Sequence, residues 1–281
     1  FKLKHDRVGA NRTLAMNIDA NVKNILINTM LGEDITSDFI ILRPYWFPME
    51  NVTIRNCVCT EWYESFINFH SGRYIKNVCI QDNYGTITSA HPSTSVSRPY
   101  GLYMAVEDGA EFGVFENITW SGNQLFASFS TGQDFINSIG VDVSGGPQND
   151  WVLHKVSYIN NVLSGFHVNR LQCRQGVYTT GKPVIVFFSG NKIIDDSNPP
   201  FRLFTSGVDT DVIYYDDNDF ISPNAPVVDG SAGITIVTTV PNRVYALPDD
   251  ALTPTFTESF NKPDGTLGAD LTWSVKGGTC T

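Results

Sequence analysis

Apolar residues recur along this chain as short alternating runs, and each run is followed at a fixed distance by an asparagine. The windows VCIQDN (78–83), ITWSGN (118–123), VSYINN (156–161), VFFSGN (186–191) and IYYDDN (213–218) share the frame apolar-x-apolar-x-x-Asn. In four of these five windows another apolar residue stands two positions after the asparagine. The asparagines, Asn83, Asn123, Asn161, Asn191 and Asn218, are separated by 40, 38, 30 and 27 residues. Alternation with period two marks a strand, so Val78/Ile80, Ile118/Trp120, Val156/Tyr158, Val186/Phe188 and Ile213/Tyr215 are predicted to face one core. No run with a helical period reaches helical length, and a strand unit that returns every few dozen residues predicts a stacked repeat.

Asparagine suits the end of such a strand for two reasons. It tolerates the left-handed backbone of a tight bend, and its amide both donates and accepts, so amides one rung apart can bond in a ladder. An earlier rung fits the same frame, with Val52, Ile54 and Cys59 inward and Cys57 at the asparagine position. Each rung also carries a second strand, in FINFHSG (66–72), GLYMAVEDG (101–109), SIGVDVSGG (138–146), GFHVNRL (165–171) and PFRLFTSG (200–207). The expected inward pairs there are Ile67/Phe69, Leu102/Met104, Ile139/Val141, Phe166/Val168 and Phe201/Leu203.

This repeat resembles the right-handed parallel β-helix of pectate lyases and phage tailspikes, in which asparagine ladders occupy such turns; the resemblance covers about residues 20–240. The expected fold is all-β: a right-handed parallel β-helix over 1–239, a Pro-rich linker over 240–257, and the start of a β-sandwich-like module over 258–281. The last segment, ESFNKPDGTLGADLTWSV (258–275), is similar to the F-N-x-x-D-G-x-L-G…W opening of β-sandwich modules in phage tail proteins. About two dozen residues bury too little to fold alone, and Phe1 stands where a start methionine or leader would be. Either those residues pack on the β-helix or the chain is a piece of a longer one, and the start at Phe1 favours the second.

Composition narrows the partners. Lys+Arg total 19 against 29 Asp+Glu, a net charge of −10, which speaks against a nucleic-acid partner. No apolar run reaches the ~18 residues of a membrane helix. A charged fraction of only 17%, with 23 Gly and 14 Pro, suits a turn-rich all-β chain. The cysteines Cys57, Cys59, Cys79, Cys173 and Cys280 form no paired CxxC elements and are expected as buried thiols, not zinc ligands. The run DDND (216–219) lacks the Gly and downstream Glu of a calcium loop and reads as a solvated turn. No P-loop, GxSxG or HExxH occurs, so neither metal nor cofactor is expected. Sequons at Asn11, Asn51 and Asn117 carry no argument, since two of them open strand-like runs.

A coil of this kind keeps its core dry, so function falls to outward side chains and loops. The long intervals 84–122 and 124–160 carry HPSTSVSRPYG (91–101), VEDGAEFG (106–113) and GGPQND (145–150), predicted to wall one side. In the second-strand frame the outward positions stack as Asn68, Tyr103, Gly140, His167 and Arg202, beside His70, Ala105, Asp142, Asn169 and Phe204. Aromatic faces mixed with polar forks suit a sugar-binding groove, with Tyr103, His70, Asn169, Arg170 and Arg202 as substrate-binding residues. Glycoside hydrolysis needs two carboxyls, roughly 5–5.5 Å apart for retention and 6.5–9.5 Å for inversion. Asp142 with Glu107 or Asp108 is the nearest such pair. Elimination from a uronate needs a base and a cation on the carboxylate, for which His167 or Tyr103 and Arg170 or Arg202 are the candidates. The calcium site and catalytic arginine of pectate lyases have no residue-by-residue counterpart here.

The resemblance implies a tailspike- or tail-fibre-like protein, virion-borne or extracellular and homotrimeric, that binds bacterial surface polysaccharide. Catalysis would make it a depolymerase, either a glycoside hydrolase or a lyase. Two other readings stay open: a non-catalytic structural or adhesive β-helix, and a secreted polysaccharide lyase.

Overall fold

The structure, a computed structural model, describes residues 2–4, 16–19, 21–44, 46–62, 64–72, 74–88, 100–106, 112–127, 139–145, 150–166, 170–175, 182–194, 202–205, 211–222, 225–230, 235–246, 274–275 and 278–279. Every regular element among them is a strand. Each circuit of the chain lays one strand into each of three sheets: Met49–Arg55 in sheet C, Val58–Trp62 in sheet A, Ser65–Ser71 in sheet B, then Tyr74–Gln81 again in sheet C. Sheet A runs from Lys2–Lys4 to Arg243–Tyr245, sheet C from Lys23–Asn28 to Thr235–Val237, and sheet B from Met16–Ile18 to Ile139–Gly145. A three-stranded sheet of Arg170–Gln172, Arg202–Thr205 and Val227–Gly230 carries sheet B onward, its first strand lying alongside Ile139–Gly145. Successive circuits pair in parallel, an arrangement consistent with a parallel β-helix solenoid.

The predicted inward residues form the core. Val78/Ile80, Ile118/Trp120, Val156/Tyr158, Val186/Phe188 and Ile213/Tyr215 are all buried, as are Val52, Ile54, Cys57 and Cys59. Inside sheet C the rings of Trp120, Tyr158, Phe188 and Tyr215 follow one another at centroid spacings of 6.4, 6.2 and 6.1 Å. Each such side chain removed from water contributes roughly 1.5–3 kcal/mol before conformational entropy is charged against it. Gly85 is the one position two after a ladder asparagine that is not apolar, and the reason is steric. A Cβ there would meet Leu125 Cδ2 at 2.8 Å and Trp62 Cζ3 at 2.9 Å, so neighbouring rings already fill its share of the core.

All five asparagines are buried and bond in one column. Each Nδ2 donates to the Oδ1 of the next rung: Asn83 to Asn123 at 2.8 Å, Asn123 to Asn161 at 3.1 Å, Asn161 to Asn191 at 2.9 Å and Asn191 to Asn218 at 3.0 Å. The same Oδ1 atoms accept the backbone N–H of the previous rung, and each Nδ2 also reaches a strand carbonyl, as Asn161 does at Trp120. Cys57 stands at the expected place, its N–H donating to Asn83 Oδ1 at 2.9 Å. The column also contains a sixth member: Asn218 donates to Asn242 at 2.7 Å, inside the segment that composition assigns to a linker. One of the two reasons for asparagine needs correction. The left-handed residue of each turn is not the ladder asparagine but the one before it: Asn56, Asp82, Gly122, Asn160, Gly190 and Asp217. Asparagine is selected at the ladder position for its amide alone.

A second column, not anticipated, runs along the outside of sheet C. Asn24, Asn51, Asn77 and Asn117 have φ between 52° and 57° in mid-strand, and Lys155 continues them at 58°. Each is a left-handed kink shared in register by neighbouring strands, and it turns two consecutive residues outward, as Glu50 and Asn51 are between buried Met49 and Val52. Only at Lys155 does the register shift, a true bulge against Ile185–Ser189. Their amides bond rung to rung at 2.9, 3.0 and 3.1 Å, with the later asparagine donating to the earlier. The sequons at Asn51 and Asn117 are therefore members of this column.

The circuits shorten towards the C-terminal end. Phe112–Ser121 and Asp150–Ile159 have 10 residues each, but the next strand of sheet C, Ile185–Ser189, has 5. The uncovered start of Asp150–Ile159 is completed by the short antiparallel strand Arg174–Gln175. Arg174 is pinned there by a buried two-pronged bond to Asp211, Nε to Oδ2 at 3.0 Å and Nη2 to Oδ1 at 2.8 Å. In the last circuit Ile236 and Val244, register partners of buried Ile213 and Phe220, are 42% and 48% exposed.

Candidate functional site

Of the predicted strip, Asn68, His70, Tyr103 and Ala105 stand in sheet B, and the register gives the backbone neighbours of each. Tyr103 pairs with Asn68 on one side, as expected, and Ala105 with His70. On the other side Tyr103 pairs with Asp142 and Ala105 with Ser144. The expected column placed Gly140 opposite Tyr103, so the strand is shifted by two residues. In the observed register Leu102 pairs with Val141 and Met104 with Val143, where Ile139 and Val141 were expected. The shift puts Asp142 in line with Asn68 and Tyr103 instead of with His70.

Further along, Arg202 pairs with Arg170, not with the position of His167, because the strand there is Arg170–Gln172 and begins later than its apolar pattern suggests. Phe166, expected in that strand, is buried in the turn before it. Glu107, Asp108, His167 and Asn169 lie outside the described residues, as do the loop over 91–99 and most of 258–281.

Around Tyr103 the strip is aromatic. The Tyr100 and Tyr103 rings are 5.0 Å apart and the His70 and Tyr103 rings 5.2 Å apart, all tilted. Tyr103 and His70 are partly exposed, whereas their outward neighbours Ile41, Asn68 and Ala105 are buried. Tyr100, Tyr103 and His70 thus form an aromatic patch flanked by buried positions.

Beneath it sits a carboxyl that pattern reading missed. Asp38 is fully buried; its Oδ1 accepts from Asn68 Nδ2 at 3.0 Å, and Arg43 lies 3.7 Å from Oδ2. Burial pushes the Asp38 carboxyl up to about 6, against the lowering effect of hydrogen bonds from Asn68 and Ser65; nearby Glu64 pushes the same way as burial, and Arg43 opposes it. Asp38 fixes the Asn68 amide so that the amide oxygen points away from it. That oxygen, Asn68 Oδ1, is buried without a hydrogen-bond partner, one register position from Tyr103. Nothing in TSDF (36–39) signals this role, because burial of Asp38 comes from the neighbouring circuit.

No group of three or more potential metal-ligating side chains occurs among the described residues. The DDND turn is structural: Asp217 takes the left-handed position, Asn218 the ladder, and Asp216 accepts from Thr239 and Val240 of the last turn. Asp217 and Asp219 both pair with Arg243. Among the described cysteines, Cys57, Cys59 and Cys173 are buried free thiols and Cys79 is half-buried. Compared with known proteins, the chain matches no family model, no curated sequence and no solved structure.

Proposed function

We propose that this protein is a tailspike-like, right-handed β-helix that binds bacterial surface polysaccharide through the outer strip of sheet B. The observation that carries the reading is the buried, unpartnered Asn68 Oδ1 beside the partly exposed Tyr103 ring. Aromatic rings stack on the apolar face of a pyranose, and a buried acceptor selects a hydroxyl that donates to it. Asp142, aligned with Tyr103 in the neighbouring strand, is the residue to carry hydrolysis if the bound chain is cut. A virion or extracellular setting and a homotrimer follow from the family resemblance alone.

A second reading, a structural spacer, is favoured by the burial of Ile41 and Ala105 on the same face. The deciding experiment is affinity electrophoresis against capsular and O-antigen polysaccharides, with reducing ends and unsaturated-uronate absorbance followed in parallel. Retardation by one polysaccharide that Tyr103→Ala abolishes supports the binding reading. New reducing ends lost in Asp142→Asn add hydrolysis, and rising absorbance adds elimination. No retardation and no product would leave the spacer.

A further inference from the structure

Sheet C has its own opening, on a different face from the strip and unconnected with it. An open groove of about 500 Å³ lies over the outer side of its later strands, lined by Asn117, Thr119, Lys155, Ser157, Ile185, Phe187 and Tyr214. Its end wall is aromatic. Phe187 and Tyr214 are register partners whose rings stack at 4.6 Å with only 6° between their planes, so ring faces look along the coil axis. In the other direction Phe187 pairs with Ser157, and Ser157 with Thr119. Strands are spaced by roughly 4.7–4.9 Å, which is also a stacking distance for flat rings. The aromatic stack therefore stops with one face of Phe187 turned over two small hydroxyl residues, and the next layer is an empty slot of ring thickness.

Polar groups surround that slot because the outer amide column ends there. Each outer asparagine donates to the earlier rung and offers its Oδ1 to the later one, so the Asn117 oxygen is directed at the next rung. The residue in the next rung is Lys155, exposed and in the same left-handed conformation, with an ammonium in place of an amide. Among the described residues no carboxylate lines the groove, although the protein carries a net charge of −10. Earlier in the sheet the outward charges neutralise one another: Glu50 lies 3.7 Å from Lys23 and 3.3 Å from Lys76, and Lys182 bonds Glu116.

We propose that this groove binds one residue of an acidic glycan. A pyranose ring stacks on the free face of Phe187, its carboxylate meets Lys155, and its hydroxyls bond Ser157, Thr119 and Asn117 Oδ1. Hydroxyl and amide groups at the rim match a polyol, and a single cation matches a single carboxylate. A nucleic-acid strand would require a basic track, and Lys155 is the single cation among the described lining residues.

The test uses the whole protein and four probes: trigalacturonate, triglucuronate, their carboxyl-reduced neutral counterparts, and adenosine monophosphate. Binding is read by saturation-transfer NMR and titration calorimetry. At least one acidic trimer is expected to bind, with its neutral counterpart about tenfold weaker. Lys155→Gln should bring the acidic trimer to the neutral level. Ser157→Phe fills the slot with a third ring; it should abolish binding while leaving the melting temperature unchanged or higher, which separates blockage from misfolding. Tyr103→Ala, on the other face, should leave trimer binding intact. The proposal is overturned by no binding of any trimer, by binding that survives Ser157→Phe or that Tyr103→Ala removes, or by a response to adenosine monophosphate alone.

Discussion

The two asparagine columns use one functional group in two environments, and they differ in almost everything else. The inner column sits in the turns between sheets C and A, is buried, and each Oδ1 accepts both an amide and a backbone N–H of the previous rung. The outer column is exposed, rests on left-handed kinks, and its members bond amide to amide with the opposite polarity. Inside, asparagine is required because every neighbouring donor and acceptor lacks water as a substitute. Outside, water can replace each bond, and what the position requires is a residue that accepts positive φ. Lys155 holds that conformation without an amide, which makes the same point within one column.

Four measurements test this contrast. The largest effect is expected for Asn161→Ala, which strips the acceptor from Asn123 N–H and Nδ2. Two buried donors left without partners cost about 3 kcal/mol, read as a lower urea midpoint; a loss below about 1 kcal/mol would mean that water enters the turn.

Asp38 gives the opposite case, a buried polar group whose charge is poorly compensated. Its folded carboxyl is raised to about 6 from the ordinary 3.8, so its contribution is fully present below pH 3.8 and is lost as pH rises through 6. Asp38→Asn should match the parent at acid pH and melt higher at pH ~8, by about 2 kcal/mol once loss of the Arg43 partner is included. Equal melting curves at both pH values would show that Arg43 already compensates the charge.

Cys57→Asn should extend the inner column by one rung and add about 1 kcal/mol, since Asn83 Oδ1 already accepts from the backbone at that position. A loss instead would mean that the thiol is held there by packing against its apolar neighbours. Asn77→Gly is expected to be smallest. It keeps the left-handed kink and deletes only the outer amide, so stability should change by less than about 0.5 kcal/mol. An effect as large as that of Asn161→Ala would erase the distinction between the columns.

The same contrast explains what the sequence made legible. Five inner asparagines are visible because buried amides must recur in one frame with the apolar pair before them. Asn242 is hidden by a single extra residue: Tyr214 pairs with Val237, which puts position 241, not 242, level with Asn218. The outer column had a signal of its own, a charged residue and asparagine before apolar-x-apolar, in KNILI (23–27), ENVTI (50–54), KNVCI (76–80) and ENITW (116–120). The strip fared less well. Period-two alternation fixes which residues share a face but not which rung neighbours they meet, so the two-residue shift that aligns Asp142 with Tyr103 had no local sign. Asp38 was invisible because its burial and its partner Asn68 come from another circuit.

Along the buried amide column every joint between rungs is the same joint, with an oxygen offered backward and a nitrogen offered forward. The stretches 161–190 and 191–217 therefore begin and end in matching halves despite lengths of 30 and 27 residues. Such units behave as interchangeable modules. Duplication or deletion of one alters the reach of the molecule by a single strand spacing and preserves the amide joint, while pairs such as Arg174–Asp211 tie particular units together. Length is then a heritable variable separate from stability, and a face such as the Phe187 shelf can be moved along the axis by copying rungs beneath it.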